Sequence, residues 1–188
     1  MLKHSLNRGL IISMSHPFNL KDPIHVLAVG FGSGLAKFAP GTWGTVAAIP
    51  FFLLLAQLPS LYLYIAVAFS AIVGIYICGK CAKDCGVHDH GSIVWDEFVG
   101  LWITLLFLPA MGLMHPYWIA LGFVWFRLFD IWKPFPISLL DKKVHGGLGI
   151  MVDDILAGVF ALICLQMSIY VYGNYLLSPP VLTPLHPF

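Results

Sequence analysis

LYLYIAVAFSAIVGIYICG, Leu61 to Gly79, and ILAGVFALICLQMSIYVYGNYLL, Ile155 to Leu177, contain no Asp, Glu, Lys or Arg. A helix rises about 1.5 Å per residue and the hydrocarbon core of a bilayer is about 30 Å thick, so a span needs about 20 apolar residues. Both stretches meet that length. Phe98 to Met114 and Tyr117 to Phe129 are shorter uncharged runs continuous with Trp and Tyr, and Val46 to Leu58 is marginal, short enough to dip in and return. These runs predict an all-α fold, a polytopic membrane helical bundle of about four to five spans.

The charges support this class by where they fall. Every Asp, Glu, Lys and Arg lies within Met1 to Trp43, Lys80 to Glu97 or Arg127 to Asp154. Only 10% of residues are charged and 59% are hydrophobic, with mean hydropathy +0.87, whereas a soluble domain carries about 25% charged residues. No linker or repeat divides the 188 residues, so a single domain is expected, with 1–20 as a flexible lead and 178–188 as a tail. A net charge of +1 gives no sign of a nucleic-acid partner. The apolar stretch at Ile24 to Val29 is too short for a signal-peptide core, so the N-terminus is expected to be kept. Cys78, Cys81 and Cys85 share a helical spacing without a fourth close ligand, which favours a structural role over zinc and requires no oxidising compartment.

If all five runs cross, the turns at Pro59 to Ser60 and His115 to Pro116 and the tail after Leu177 share one side and hold no Lys or Arg. All ten basic residues fall on the other side, which the positive-inside rule makes cytoplasmic. The glycine-rich loops are then cytoplasmic. If Val46 to Leu58 only dips in, Lys37 lies opposite Lys80 and Lys83, and the glycine-rich loop is parted from the acids.

Five carboxylates stand where apolar runs meet the polar blocks: Asp96, Glu97, Asp130, Asp153 and Asp154. Asp153 and Asp154 precede the Ile155 run, and Asp96 and Glu97 precede the Phe98 run, positions where an acid can simply cap a helix for about 1 kcal/mol. Asp130 differs, because it lies just before Lys133, Pro134 and Pro136 stop its helix, where the dipole disfavours an anion. Pairing with Arg127, three residues back, is its bland alternative. Five acids gathered at one membrane face, with only Arg127 and Lys133 nearby, require a positive partner. Hard oxygen ligands favour Mg²⁺, or Mn²⁺, over zinc.

Two further groups of residues suit a phosphate. Gly30, Gly32 and Gly34 through Lys37, then Gly41, Thr42, Gly44 and Thr45, combine close backbone approach with the donors Lys37, Thr42 and Thr45, without the spacing of a P-loop. Close helix packing explains the same glycines equally well. His88, Asp89 and His90 precede the Asp96 pair and His145 sits beside Gly146; a histidine there is either surface or a proton donor to a leaving alkoxide. Asp141, Lys142 and Lys143 read as solvated interface. No Cys is followed by five residues and Arg, neither Arg8 nor Arg127 precedes Pro, and no Asp-x-Asp stands before Thr or Val. Phosphocysteine, phosphohistidine and common aspartyl-phosphate routes are therefore unsupported.

Three motifs in order carry a family resemblance over about Asn19 to Phe160. They are Gly30 to Pro50 with Ala39, Pro40, Gly41 and Thr42; His88 to Gly100 with Asp89, His90, Gly91, Ser92, Asp96 and Glu97; and Phe126 to Gly158 with Arg127, Asp130, Lys133, Pro134, Pro136, His145, Gly146, Gly147, Gly149, Asp153 and Asp154. In these the chain resembles the bacterial phosphatidylglycerophosphatase A family. The resemblance implies a Mg²⁺-dependent phosphatase of the bacterial inner membrane that converts phosphatidylglycerophosphate to phosphatidylglycerol, with the acids holding the metal.

On that basis Asp96, Glu97, Asp130, Asp153 and Asp154 are the expected ligands and catalytic groups, and Arg127, Lys133 and the glycine-rich loop the expected phosphate donors. Another lipid phosphomonoesterase of the same design is the nearest competing reading. A cation carrier or channel is a rival from another class, but it calls for ionisable groups at mid-membrane depth, and the uncharged runs hold none.

Overall fold

The computed structural model describes residues 18–86 and 90–177. His88, Asp89, the first seventeen residues and the tail beyond Leu177 lie outside the described residues, as do the side chains of Asp141 and Lys142. Among the described residues there is helix and turn and no strand.

Local chemistry sets the helix boundaries. The α1 helix (Pro23–Ala28) starts at a proline behind Asp22, whose carboxylate accepts the Ile24 N–H at 2.9 Å. A 3₁₀ segment, Gly30–Leu35, turns through positive φ at Gly30, Phe31 and Gly32 and leads into α2 (Pro40–Leu55). The α3 helix (Ser60–Asp84) runs for 25 residues between Pro59 and Gly86. It is followed by α4 (Trp95–Leu105), α5 (Pro116–Trp132), α6 (Ile137–Lys143) and α7 (Gly146–Val171), with a π turn at Tyr172–Leu177. His115 caps α5 by accepting the Tyr117 N–H at 3.2 Å, and Lys133 ends it in the left-handed region ahead of Pro134.

The α4 helix is the hub, packed against α2, α3, α5 and α7. Phe98, Val99, Leu101 and Leu105 are fully buried. The run Phe98 to Met114 is not one continuous helix. The helix stops after 11 residues, and 106–114 is turn and coil containing Pro109 and Gly112 at φ 66°. An uncharged run is required by burial in protein as much as by contact with lipid. Two helical runs, Ser60–Asp84 and Gly146–Asn174, are long and apolar enough to cross a membrane, fewer than the four to five expected. Leu61, Ile65, Phe69, Ile72 and Tyr76 on α3 form an outward apolar stripe, each between 55% and 68% exposed.

Close backbone crossings position the polar end. A Cβ on Gly158 of α7 would lie 2.5 Å from the Gly100 carbonyl oxygen of α4, and one on Gly147 would lie 1.9 Å from the Ile75 oxygen of α3. Only glycine permits such contact. The α7 helix therefore lies directly on α4 and α3, with its first turns beside the first turn of α4.

Candidate functional site

Helix α7 begins at Gly146, not near Ile155, so Asp153 and Asp154 sit two turns inside it and are not end caps. The capping alternative for this pair is overturned. Both are buried, 6% and 3% exposed. Asp96 and Glu97 do occupy the first turn of α4, but no side chain caps that helix. Asp130 lies in the last turn of α5, as its spacing from Lys133 suggested.

All five carboxylates and Lys133 line one polar cavity of about 150 Å³. Within it, three of the acids lie closest together. One oxygen each from Asp96, Glu97 and Asp154 lies within 4.8 Å of the others. Asp96 Oδ1, Glu97 Oε2 and Asp154 Oδ2 are buried without a hydrogen-bond partner. Buried polar atoms are nearly always satisfied, and carboxylates gathered this closely form a set that could hold a cation.

The other two acids meet cations already present. Asp130 Oδ2 is 2.5 Å from Arg127 Nη1, and Asp153 Oδ2 accepts from Lys133 Nζ at 2.6 Å. Arg127 Nη1 also lies 3.9 Å from Glu97 Oε1 and donates to Thr45 Oγ1 at 3.3 Å. Arg127 thus pairs with Asp130 and also bridges to α2 and α4. Lys133 takes a left-handed backbone, φ 44°, a conformation that costs a non-glycine residue energy and places it beside Asp153. Asp96 and Glu97 stand ahead of the uncharged run that begins at Phe98. Burial, reinforced by the neighbouring acids, holds Asp96 well above the carboxylate range, and burial pushes Glu97 up to about 7.

The remaining predicted residues are placed as follows. Thr45 is buried in α2, its hydroxyl donating to the Gly41 carbonyl at 2.7 Å while accepting from Arg127. Lys37, Thr42, His90 and His145 do not line the acid cavity. His90 Nδ1 accepts the Ser92 N–H at 3.2 Å and its ring packs edge-on to Phe18, while His145 holds the exposed N-cap position of α7. Gly41 went unremarked as a contact: a Cβ there would stand 2.3 Å from Glu97 Oε1, so the first turn of α2 presses on the site.

A second polar cluster had no signal in the sequence. His25 of α1 lies against Cys81, Asp84 and Cys85 at the end of α3, with ligand atoms of His25, Cys81 and Cys85 within 4.8 Å of one another. Its ring is already engaged on both nitrogens. Nδ1 accepts the Asn19 N–H at 3.1 Å, which leaves the proton on Nε2, 3.3 Å from Asp84 Oδ2. Lys80 also pairs with Asp84. A metal on Nε2 would have to displace that proton and break the Asn19 bond.

Comparison with known proteins bears on the acid cavity. The family model described as "PgpA: Phosphatidylglycerophosphatase A" matches residues 26–169. A protein of Escherichia coli (strain K12) with the name phosphatidylglycerophosphatase A is 54% identical over 142 residues, covering 76% of this chain and 81% of the relative. One of the same name from Haemophilus influenzae is 49% identical over 146 residues, 77% of this chain and 88% of its own length. A Bacteroides thetaiotaomicron protein, 37% identical over 79% of this chain and 94% of its own, carries the provisional name phosphatidylinositol-3-phosphatase. No solved structure gives a significant match.

Proposed function

The chain belongs to the phosphatidylglycerophosphatase A family, and we propose that it removes the terminal phosphate of phosphatidylglycerophosphate with Mg²⁺ held by Asp96, Glu97 and Asp154. It is a phosphoric monoester hydrolase with phosphatidylglycerophosphate as substrate. The observation that carries the metal assignment is the clustering of Asp96, Glu97 and Asp154 from two helices, each offering a carboxylate oxygen within 4.8 Å of the others and each with a buried oxygen that lacks a hydrogen-bond partner. Oxygen donors without sulfur or imidazole suit Mg²⁺, and Mn²⁺ fits the same set.

When bound, such an ion supplies positive charge to the phosphoryl oxygens and lowers the pKa of water. The protein does the rest. Arg127 and Lys133, beside Asp130 and Asp153, present N–H donors to phosphate oxygens. Asp130 and Asp153, outside the triad, are the carboxylates placed to take a proton from the attacking water. As water adds to phosphorus, the bond to the glycerol oxygen breaks and that oxygen leaves with a proton, releasing phosphatidylglycerol and phosphate. His90 and His145, away from the cavity, fall outside this route.

The site works at the cytoplasmic face of the bacterial inner membrane, in a chain that crosses the bilayer several times. Helices α3 and α7 have the length to span, and α2 and α5, of 16 and 17 residues, reach about 25 Å at 1.5 Å per residue. The charged residues gather at one end, as the positive-inside rule requires of a cytoplasmic face.

One assay tests the reading: detergent-purified protein with phosphatidylglycerophosphate, phosphatidic acid, a phosphoinositide monophosphate and soluble glycerophosphate, with Mg²⁺ or with EDTA. Selective release of phosphate from the first, lost with EDTA and restored by Mg²⁺, is expected. Turnover indifferent to chelation removes the metal assignment, and preference for another lipid replaces the substrate. Asp130→Asn is expected to abolish turnover while the protein still folds and inserts; wild-type rates would take Asp130 out of the site.

A further inference from the structure

Helix α5 carries the acid site on one side and a lipid-facing stripe on the other, and Arg127 stands at the boundary. At 100° per residue, Val124, Leu128 and Ile131 share a face turned about 100° to 160° from Asp130, and they are 57%, 45% and 71% exposed. A shallow apolar groove of about 320 Å³ runs along this face, lined by Phe123, Val124, Arg127, Leu128, Ile131 and Trp132. Arg127 is its one charged wall. Its Nη1 reaches Asp130, Glu97 and Thr45, but its buried Nε has no hydrogen-bond partner.

The neighbouring helices leave this face open. Both α2 and α5 pack on α4 but scarcely touch each other, and Arg127 with Thr45 closes the gap only at its polar end. From the acid cavity outward the order is therefore carboxylate cluster, guanidinium, apolar groove. From Ile131 back to Val124 the groove descends about 10 Å along the helix.

We infer that this face of α5 is the lateral entry and acyl-chain subsite for the substrate, with Arg127 binding its internal phosphodiester. The inference rests on the function proposed above and adds to it where the rest of the lipid lies. A glycerophospholipid with a terminal phosphomonoester, an internal phosphodiester and acyl chains presents its groups in the same order as the protein does. With the monoester among the acids, the diester lies against the Arg127 guanidinium, and one acyl chain follows Leu128 and Val124 into the bilayer. Phosphatidic acid lacks the diester and its glycerol spacer, so its monoester and its acyl chain cannot fill both ends at once.

The test compares the full-length wild type, a Val124→Trp/Leu128→Trp variant that fills the groove, and an Ile65→Trp/Phe69→Trp control on the outer face of α3, in mixed micelles with Mg²⁺. Each is assayed on dioleoyl and on dihexanoyl phosphatidylglycerophosphate. Filling the groove is expected to raise KM for the dioleoyl substrate about tenfold relative to the dihexanoyl one, with kcat little changed, while the control keeps the wild-type ratio. Turnover of the dihexanoyl substrate shows that the variant is folded. An unchanged KM ratio in the groove variant, or an equal rise in the control, overturns the acyl subsite and leaves the function standing. Failure of the wild type to hydrolyse either substrate sinks the function itself.

Discussion

Two polar clusters sit at the charged end of the same bundle, and their hydrogen bonds separate them. Around His25 the ring nitrogens face Asn19 and Asp84, and Lys80 completes the pairing. Around Asp154 the reverse holds: Asp96, Glu97 and Asp154, from two helices, bring carboxylate oxygens within 4.8 Å of one another, and each keeps a buried oxygen without a hydrogen-bond partner. Both contain groups able to bind a metal, and both were equally remote in the sequence. The first uses its polar atoms to tie α1 to α3. The second leaves an oxygen of each of Asp96, Glu97 and Asp154 buried without a partner, which a purely structural cluster does not favour.

The contrast can be broken at its strongest point first. Asp154→Asn is expected to lower lipid phosphatase activity by about a hundredfold or more with helical content retained; phosphate release and circular dichroism on one preparation check it. Near-normal turnover would place the acid cluster with the His25 cluster as structure. Next in size is a pH effect confined to the acid site. Burial raises Asp96 and Glu97, the latter to about 7, so protons compete for the oxygens proposed to hold Mg²⁺. Affinity for Mg²⁺ should hold above pH 7 and fall about tenfold per pH unit below it for each proton displaced, as titration calorimetry at pH 6 and pH 8 would report.

Gly158→Val attacks the geometry without touching an acid. Its side chain would meet the Gly100 carbonyl and push α7 from α4, parting Asp154 from Asp96 and Glu97. A loss of about 1–3 kcal/mol in stability is expected, with weakened Mg²⁺ binding. Thermal unfolding with and without Mg²⁺ separates the two effects. The smallest change sharpens the other side of the comparison. His25→Ala leaves the Asn19 N–H without its acceptor and should cost about 1–2 kcal/mol in unfolding, while the Mg²⁺ dependence of turnover stays at wild type. A shifted metal requirement in that variant would join the two clusters.

Much of the site was legible because its chemistry is local. Asp96, Glu97, Asp130, Asp153 and Asp154 stand out as the acids bordering uncharged runs, and all five line one cavity. Arg127 and Lys133 were visible from their spacing to Asp130, although Lys133 turns instead to Asp153. Other residues stand differently in the structure than their spacing suggests. Thr42 and Lys37 look like phosphate donors in a glycine-rich stretch, but the glycines there serve contact, as Gly41 against Glu97 does, and neither donor lines the cavity. Asp153 and Asp154 resembled caps because the small residues Gly146, Gly147 and Gly149 look like a loop. Packing against α3 holds that stretch helical.

The sequence by itself determined the helical class, the segregation of charge to one end and the identity of the acids, since each depends on residue type and spacing along a single chain. Only the tertiary structure decided which acids come closest together, that α4 is a buried hub whose helix ends at Leu105, and that His25 is satisfied. Those outcomes depend on how closely helices separated by tens of residues approach, and that distance is set by the Gly100 to Gly158 and Ile75 to Gly147 contacts between partners that no local pattern pairs.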